Sequence, residues 1–81
     1  MTNHEVIMDA KWYRTISELE ERSYQEVMFD MEDISFAYFL ARDGINEIEI
    51  KVCLESSSFY QRDIGCEDWW YVDFIEPTIY Q

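Results

Sequence analysis

The sequence predicts an α+β domain: a small antiparallel sheet of three to four strands, connected as a meander, with one N-terminal helix packed on one face. Three observations carry that expectation. Asp43-Gly44 stands between two strand-like runs, ISFAYFLAR and INEIEIKVCLE. Asp-Gly in that setting is a strong hairpin signal, because both central residues of a type I′ turn need positive φ. In the second run Ile48, Ile50, Val52 and Leu54 alternate with Glu47, Glu49, Lys51 and Cys53. A period of two marks a strand with one face in the core and one in water. Upstream, Trp12, Ile16, Leu19 and Ser23 recur at spacings of three and four, which predicts one helix over 12–25.

In chain order, residues 1–4 read as a flexible tail, and Glu5–Met8 is too brief a pattern to assign. Thr15 with Glu18, and Ser17 with Glu20, match the capping box, in which a hydroxyl accepts from the backbone one turn on and the Glu returns to the cap. Glu18, Glu20 and Glu21 then suit the positive start of the helix dipole, and Arg22 its negative end. In 24–33, Val27, Phe29 and Met31 alternate, while Val27, Met28 and Met31 also fit a helical face. The β-preference of Val and Phe favours a strand there, leading by a tight turn into Ile34.

In the hairpin's first arm Phe36, Tyr38 and Leu40 share one face, and Ala37, Phe39 and Ala41 the other. Apolar residues on both sides predict a central strand, covered on one face by the helix and on the other by another element or a second copy of the chain. Ser56–Asp68 reads as a loop containing Gly65, and Asp68–Glu76 as the last strand, ended by Pro77, which has no ladder donor. Trp70, Val72 and Phe74 are expected in the core. Trp69, Tyr71, Asp73 and Ile75 fall on the opposite face, where Trp69 and Tyr71 are candidate anchors for a partner.

Composition bounds the function. Eighty-one residues make one small domain, 1–81, and 48% apolar with 17% aromatic residues is enough for a core. Eighteen acids against six bases give a net charge of −12. Direct nucleic-acid binding needs bases that neutralise phosphates, and the few here are scattered among acids. A basic protein partner is the natural complement. No membrane-length apolar run and no signal-peptide pattern are present, so a cytoplasmic setting is expected, with Cys53 and Cys66 as free thiols.

No catalytic constellation is legible. His4 lies in the expected tail, Ser56–Ser58 has no nearby base, and no Gly-rich phosphate loop occurs. Asp30, Glu32 and Asp33 offer hard oxygen ligands without the spacing of a calcium loop, so no metal and no cofactor are expected. The acids suggest a different use. Alternate strand residues lie roughly 6.6–6.8 Å apart, about twice the 3.4 Å charge spacing along one DNA strand. Glu47 and Glu49, joined by Asp30, Glu32, Asp33 and Asp43, would thus resemble a run of phosphates. The expectation is an acidic inhibitor of a basic nucleic-acid-binding enzyme, a DNA mimic of the anti-restriction or anti-CRISPR kind that phages use. The alternatives are an immunity or antitoxin protein that neutralises a basic toxin nuclease, or an oligomeric assembly protein, a homodimer through the aromatic face.

Overall fold

A computed structural model describes residues 12–75. It contains helix α1 (Tyr13–Glu21) and strands β1 (Gln25–Glu32), β2 (Phe36–Asp43), β3 (Asn46–Cys53), β4 (Ser58–Asp63) and β5 (Trp70–Phe74). The strands form one antiparallel meander in the order β1-β2-β3-β4-β5. The α+β class, the helix and the meander are as the sequence predicts; among the described residues the sheet has five strands where three to four were expected. The expected tail, the Glu5–Met8 segment and Pro77 lie outside the described residues. No described helix is long and apolar enough to cross a membrane.

The extra strand is β4, inside the stretch that reads as a loop. Its inward row carries Phe59 and then Gln61, opposite Val52 and Ile50. A polar residue on the core face breaks the alternation on which a sequence reading depends. Gln61 is tolerated there because the Tyr24 hydroxyl donates to its Oε1 (2.5 Å).

The hairpin turn sits one residue later than Asp-Gly predicts. Asp43 pairs with Asn46, leaving Gly44 and Ile45 as the central residues. Only Gly44 has positive φ, +67°, the demand of a type II′ turn rather than type I′. Ile34 and Ile45, assigned to strands by their chemistry, are turn residues and almost fully exposed.

The helix differs at both ends. It begins at Tyr13 with Trp12 as an N-cap that makes no side-chain capping bond, so neither capping box forms. Thr15 is instead a fully buried side chain of the helix interior. The helix stops at Glu21 because Ser23 turns left-handed, at φ +78°, and the N–H groups of Ser23 and Tyr24 close on Glu20 O (3.0 Å) and Leu19 O (3.3 Å). Glu20 and Glu21 therefore lie in the last turn, where the dipole disfavours them, and both are exposed.

One face of the sheet holds the core. Trp12 stacks on Phe29 (centroids 5.7 Å) and meets Phe39 edge-on (5.8 Å). With Leu19 they pack over Ala37, Ile48, Ile50, Val52 and Phe59. Toward β5 this face turns polar: the row Ala37, Val52, Phe59 ends at Asp73.

The predicted faces of the last strand are overturned beyond Tyr71, and the expected core residue Trp70 is exposed. Trp70 (47%) and Phe74 (58%) are exposed, and Ile75 (1%) is the buried residue. Trp70 keeps the inner face, opposite Gln61, but is left exposed on the edge strand. Beyond Tyr71, which faces Tyr60, a register shift sets Asp73 opposite Phe59 and leaves Val72 as an extra residue, which turns Phe74 outward and Ile75 inward. Such a bulge reverses the alternation beyond it.

Candidate partner-binding surface

The outer sheet face is set by register. Tyr38, Lys51, Tyr60 and Tyr71 stand in one row across β2 to β5. The Lys51 ammonium lies over Phe36 (4.6 Å), Tyr60 (5.5 Å) and Trp69 (4.6 Å). Arg62 covers Trp69 as well, at 4.3 Å. Cations over ring faces are held by the quadrupole, so this cluster holds Lys51 with no ion pair to a carboxylate among the described residues. Trp69 is half-buried in this cluster, whereas Tyr71 is exposed, with its ring edge-on to Tyr60 (5.8 Å). The second sheet face is thus partly closed by its own cation–aromatic layer.

That layer changes the status of the predicted acids. Glu49 accepts from Arg62 Nε at 2.9 Å, with both side chains less than a third exposed. Glu47 lies 3.8 Å from Arg42, which also approaches Glu26 at 3.4 Å. The next outward residue of β3 is Lys51 itself. The β3 face therefore reads Glu, Glu, Lys with a guanidinium beside each acid, and the expected phosphate-like run on it is locally neutralised.

Asp33 is a turn former. Its Oδ1 accepts from the N–H groups of Ser35 and Phe36, each at 2.8 Å, and its Oδ2 from the Tyr38 hydroxyl at 3.4 Å. Those two backbone donors, Ser35 first, hold its carboxyl below the usual range. Glu32 is half-buried at the end of β1, and Asp30 is exposed beside a bulge in that strand. The eight predicted residues are thus not one constellation. Glu32 and Asp33 lie at one end of the sheet, Asp43 and Glu47 at the other, and Glu49, Trp69 and Tyr71 on the face between.

At the Asp43 end the meander gathers acids that the sequence reading did not single out. The β2–β3 turn and the β4–β5 loop are adjacent, joined by the Ile64 N–H to Glu47 O bond (3.3 Å). These loops and the strand ends beside them carry Asp43, Asp63, Glu67 and Asp68, all exposed and none in an ion pair among the described residues. The same two connections carry Ile45 (93% exposed) and Ile64 (52%). A cleft of about 210 Å³ opens beside them, lined by Glu26, Met28, Leu40, Arg42, Glu47 and Ile64. Only the adjacency of the two loops joins these groups, and adjacency became legible once β4 was a strand. Among the described residues no three of His, Cys, Asp and Glu gather around a metal-sized site.

Comparison with protein-family models, with curated proteins and with solved structures finds no match to the chain.

Proposed function

We propose that the chain is an acidic binding protein, not an enzyme, that acts in the cytoplasm by occupying the basic nucleic-acid-binding surface of a partner and inhibiting it, in the manner of a DNA mimic. One observation carries the reading: in a chain of net charge −12, the adjacent β2–β3 and β4–β5 connections carry Asp43, Asp63, Glu67 and Asp68, exposed and without an ion pair among the described residues, together with two exposed isoleucines. Opposed potentials accelerate encounter, and apolar residues at the centre of a charged rim supply the desolvated contact that makes a complex last. The contact surface moves accordingly from the β3 face to the Asp43 end. Glu47 remains at its margin, and Glu49 becomes structural.

The test uses tagged protein against lysate of the host cell, eluted by a salt step with and without duplex DNA as competitor. The expected capture is a nucleic-acid-binding enzyme that DNA displaces, lost when Asp43 and Asp63 are both changed to Lys in protein that keeps its circular-dichroism spectrum. Capture of a cognate toxin nuclease would transfer the same surface to the immunity role. Recovery of the chain alone as a salt-resistant dimer, or binding indifferent to both DNA and the double change, would overturn the proposal.

A further inference from the structure

The sheet has two edges, and they are not alike. At β1 the ladder is interrupted twice, with Glu26 at φ +53°, and irregularity of that kind protects an edge from pairing. The β5 ladder is interrupted once, at Val72, and its edge carries Trp70, Tyr71, Val72 and Phe74, all exposed, with Asp73 as the one charged residue and neither Lys nor Pro. An exposed apolar edge strand presents unpaired N–H and C=O groups, a template for another chain.

That template is closed at one end by two side chains. The Ile75 N–H points inward to Ser57 O (2.7 Å), so the backbone groups of Phe74 point away from β4. There the Phe74 N–H donates to Asp73 Oδ1 (2.8 Å) and Arg22 Nη2 donates to Phe74 O (3.3 Å). Arg22 Nη1 completes the triangle on Asp73 Oδ2 at 2.8 Å. Both ladder groups of Phe74 are thus held by side chains that stand where a neighbouring strand would be, and all three members are solvent-accessible.

We propose that the free edge of β5 is a strand-addition site for an extended, lysine-rich segment of the partner, with Arg22 and Asp73 closing its C-terminal end until that segment arrives. Strand addition takes affinity from main-chain bonds and specificity from alternate side chains, and Trp70 and Tyr71 are the anchors available to the latter. Charge selects the occupant. Glu67 and Asp68 precede β5, Asp73 lies within it, and the Arg22 contact brings the exposed helix end with Glu20 and Glu21 to its side. A second copy would set two chains of −12 edge to edge, and like charges brought together across a ladder are destabilising. The proposal rests on the basic-partner reading above and adds where on the chain main-chain pairing occurs.

The test titrates the full chain with a ten-residue peptide of alternating Lys and Val, and with the same peptide N-methylated on alternate residues, which keeps the charge and removes the ladder donors. Affinity is read by calorimetry and the β5 amides by NMR hydrogen exchange. The unmodified peptide is expected to bind at least tenfold tighter and to slow exchange at Phe74, and Arg22→Ala is expected to widen the ratio between the two peptides. Should Arg22→Ala fail to fold, the two peptides on the unaltered chain decide. Equal binding with no protection of β5 would overturn the edge site and leave the acidic surface standing. Failure of both peptides to bind at low salt would remove the acidic-surface reading too. Protection of β5 in the protein alone, at a dimer's mass, would make the second copy the occupant and overturn the proposal.

Discussion

Replacing Thr15 by Val should stabilise the protein. Thr15 is fully buried on the inner face of α1, and its Oγ1 has no hydrogen-bond partner among the described residues. A hydroxyl desolvated without a partner costs about 1–3 kcal/mol. Val has nearly the same shape, returns apolar contact worth roughly 0.8 kcal/mol per methylene-sized group, and has similar helix propensity. Allowing for imperfect fit of the new methyl, the net gain is about 1–2 kcal/mol. Against a total stability of roughly 4–12 kcal/mol for a chain of this length, that is a large fraction. Urea unfolding followed by far-UV circular dichroism reads it directly: at a slope of about 1–2 kcal/mol per molar, the midpoint rises by roughly 1 M. The melting temperature rises by about 4–8 °C per kcal/mol. Thr15→Ser, which keeps the hydroxyl and drops the methyl, should move both the other way. A valine variant no more stable than the parent, with the slope unchanged, would mean that the Thr15 hydroxyl is satisfied in solution.

Two further outcomes follow from single side chains. Asp33 has a folded-state pKa held below its ordinary value by the Ser35 and Phe36 N–H groups, so its ionised form contributes stability above the unfolded value of about 3.9, and that contribution is lost as pH falls through the lower folded value. The stability gap between the parent and Asp33→Asn, measured by urea unfolding, should therefore be open at neutral pH and close at strongly acid pH; a gap independent of pH would refute the turn-capping role. The Cys53 thiol is pulled down by the Ser56 hydroxyl first, then by the Ser56 and Glu55 N–H groups. In a Cys66→Ser background, the midpoint of its alkylation rate against pH should lie below the ordinary thiol value and rise on Ser56→Ala, whereas an unmoved midpoint would show that the hydroxyl does not reach the sulfur.

Where sequence periodicity and burial agree, the fold was legible. Ile48, Ile50 and Val52 alternate with polar residues and are buried. Ala37, Phe39 and Ala41 face the same core, paired with Val52, Ile50 and Ile48 in unbroken register. Two failures share one physical cause, a polar or charged group on the core face met by a contact distant in sequence. Gln61 faces inward because Tyr24 reaches it, and Asp73 does so because Arg22 meets it, 51 residues away. Neither contact leaves a mark within a local window. The misread capping boxes differ: the motif spacing is present, but Thr15 lies where the helix meets the core, and burial decided its role.

The acidity behind the candidate site was legible in composition and its arrangement was not, because a net charge does not say which acids are already matched. Arg62 and Arg42 stand beside Glu49 and Glu47, Arg22 is fixed on Asp73, and Lys51 is taken up by three rings. These cations neutralise the strand acids that a period-two pattern makes conspicuous and leave unpaired the loop acids that no pattern singles out. A half-buried pair such as Glu49–Arg62 is a poor place to look for recognition, since removing one member leaves the other poorly solvated and destabilises the fold itself. Asp43 and Asp63 have no such partner among the described residues, so reversing them changes the surface potential with little change in packing. The acids therefore divide by position: those across the sheet hold the strands and their arginines in place, and those at the loop end are the ones the proposed partner would meet.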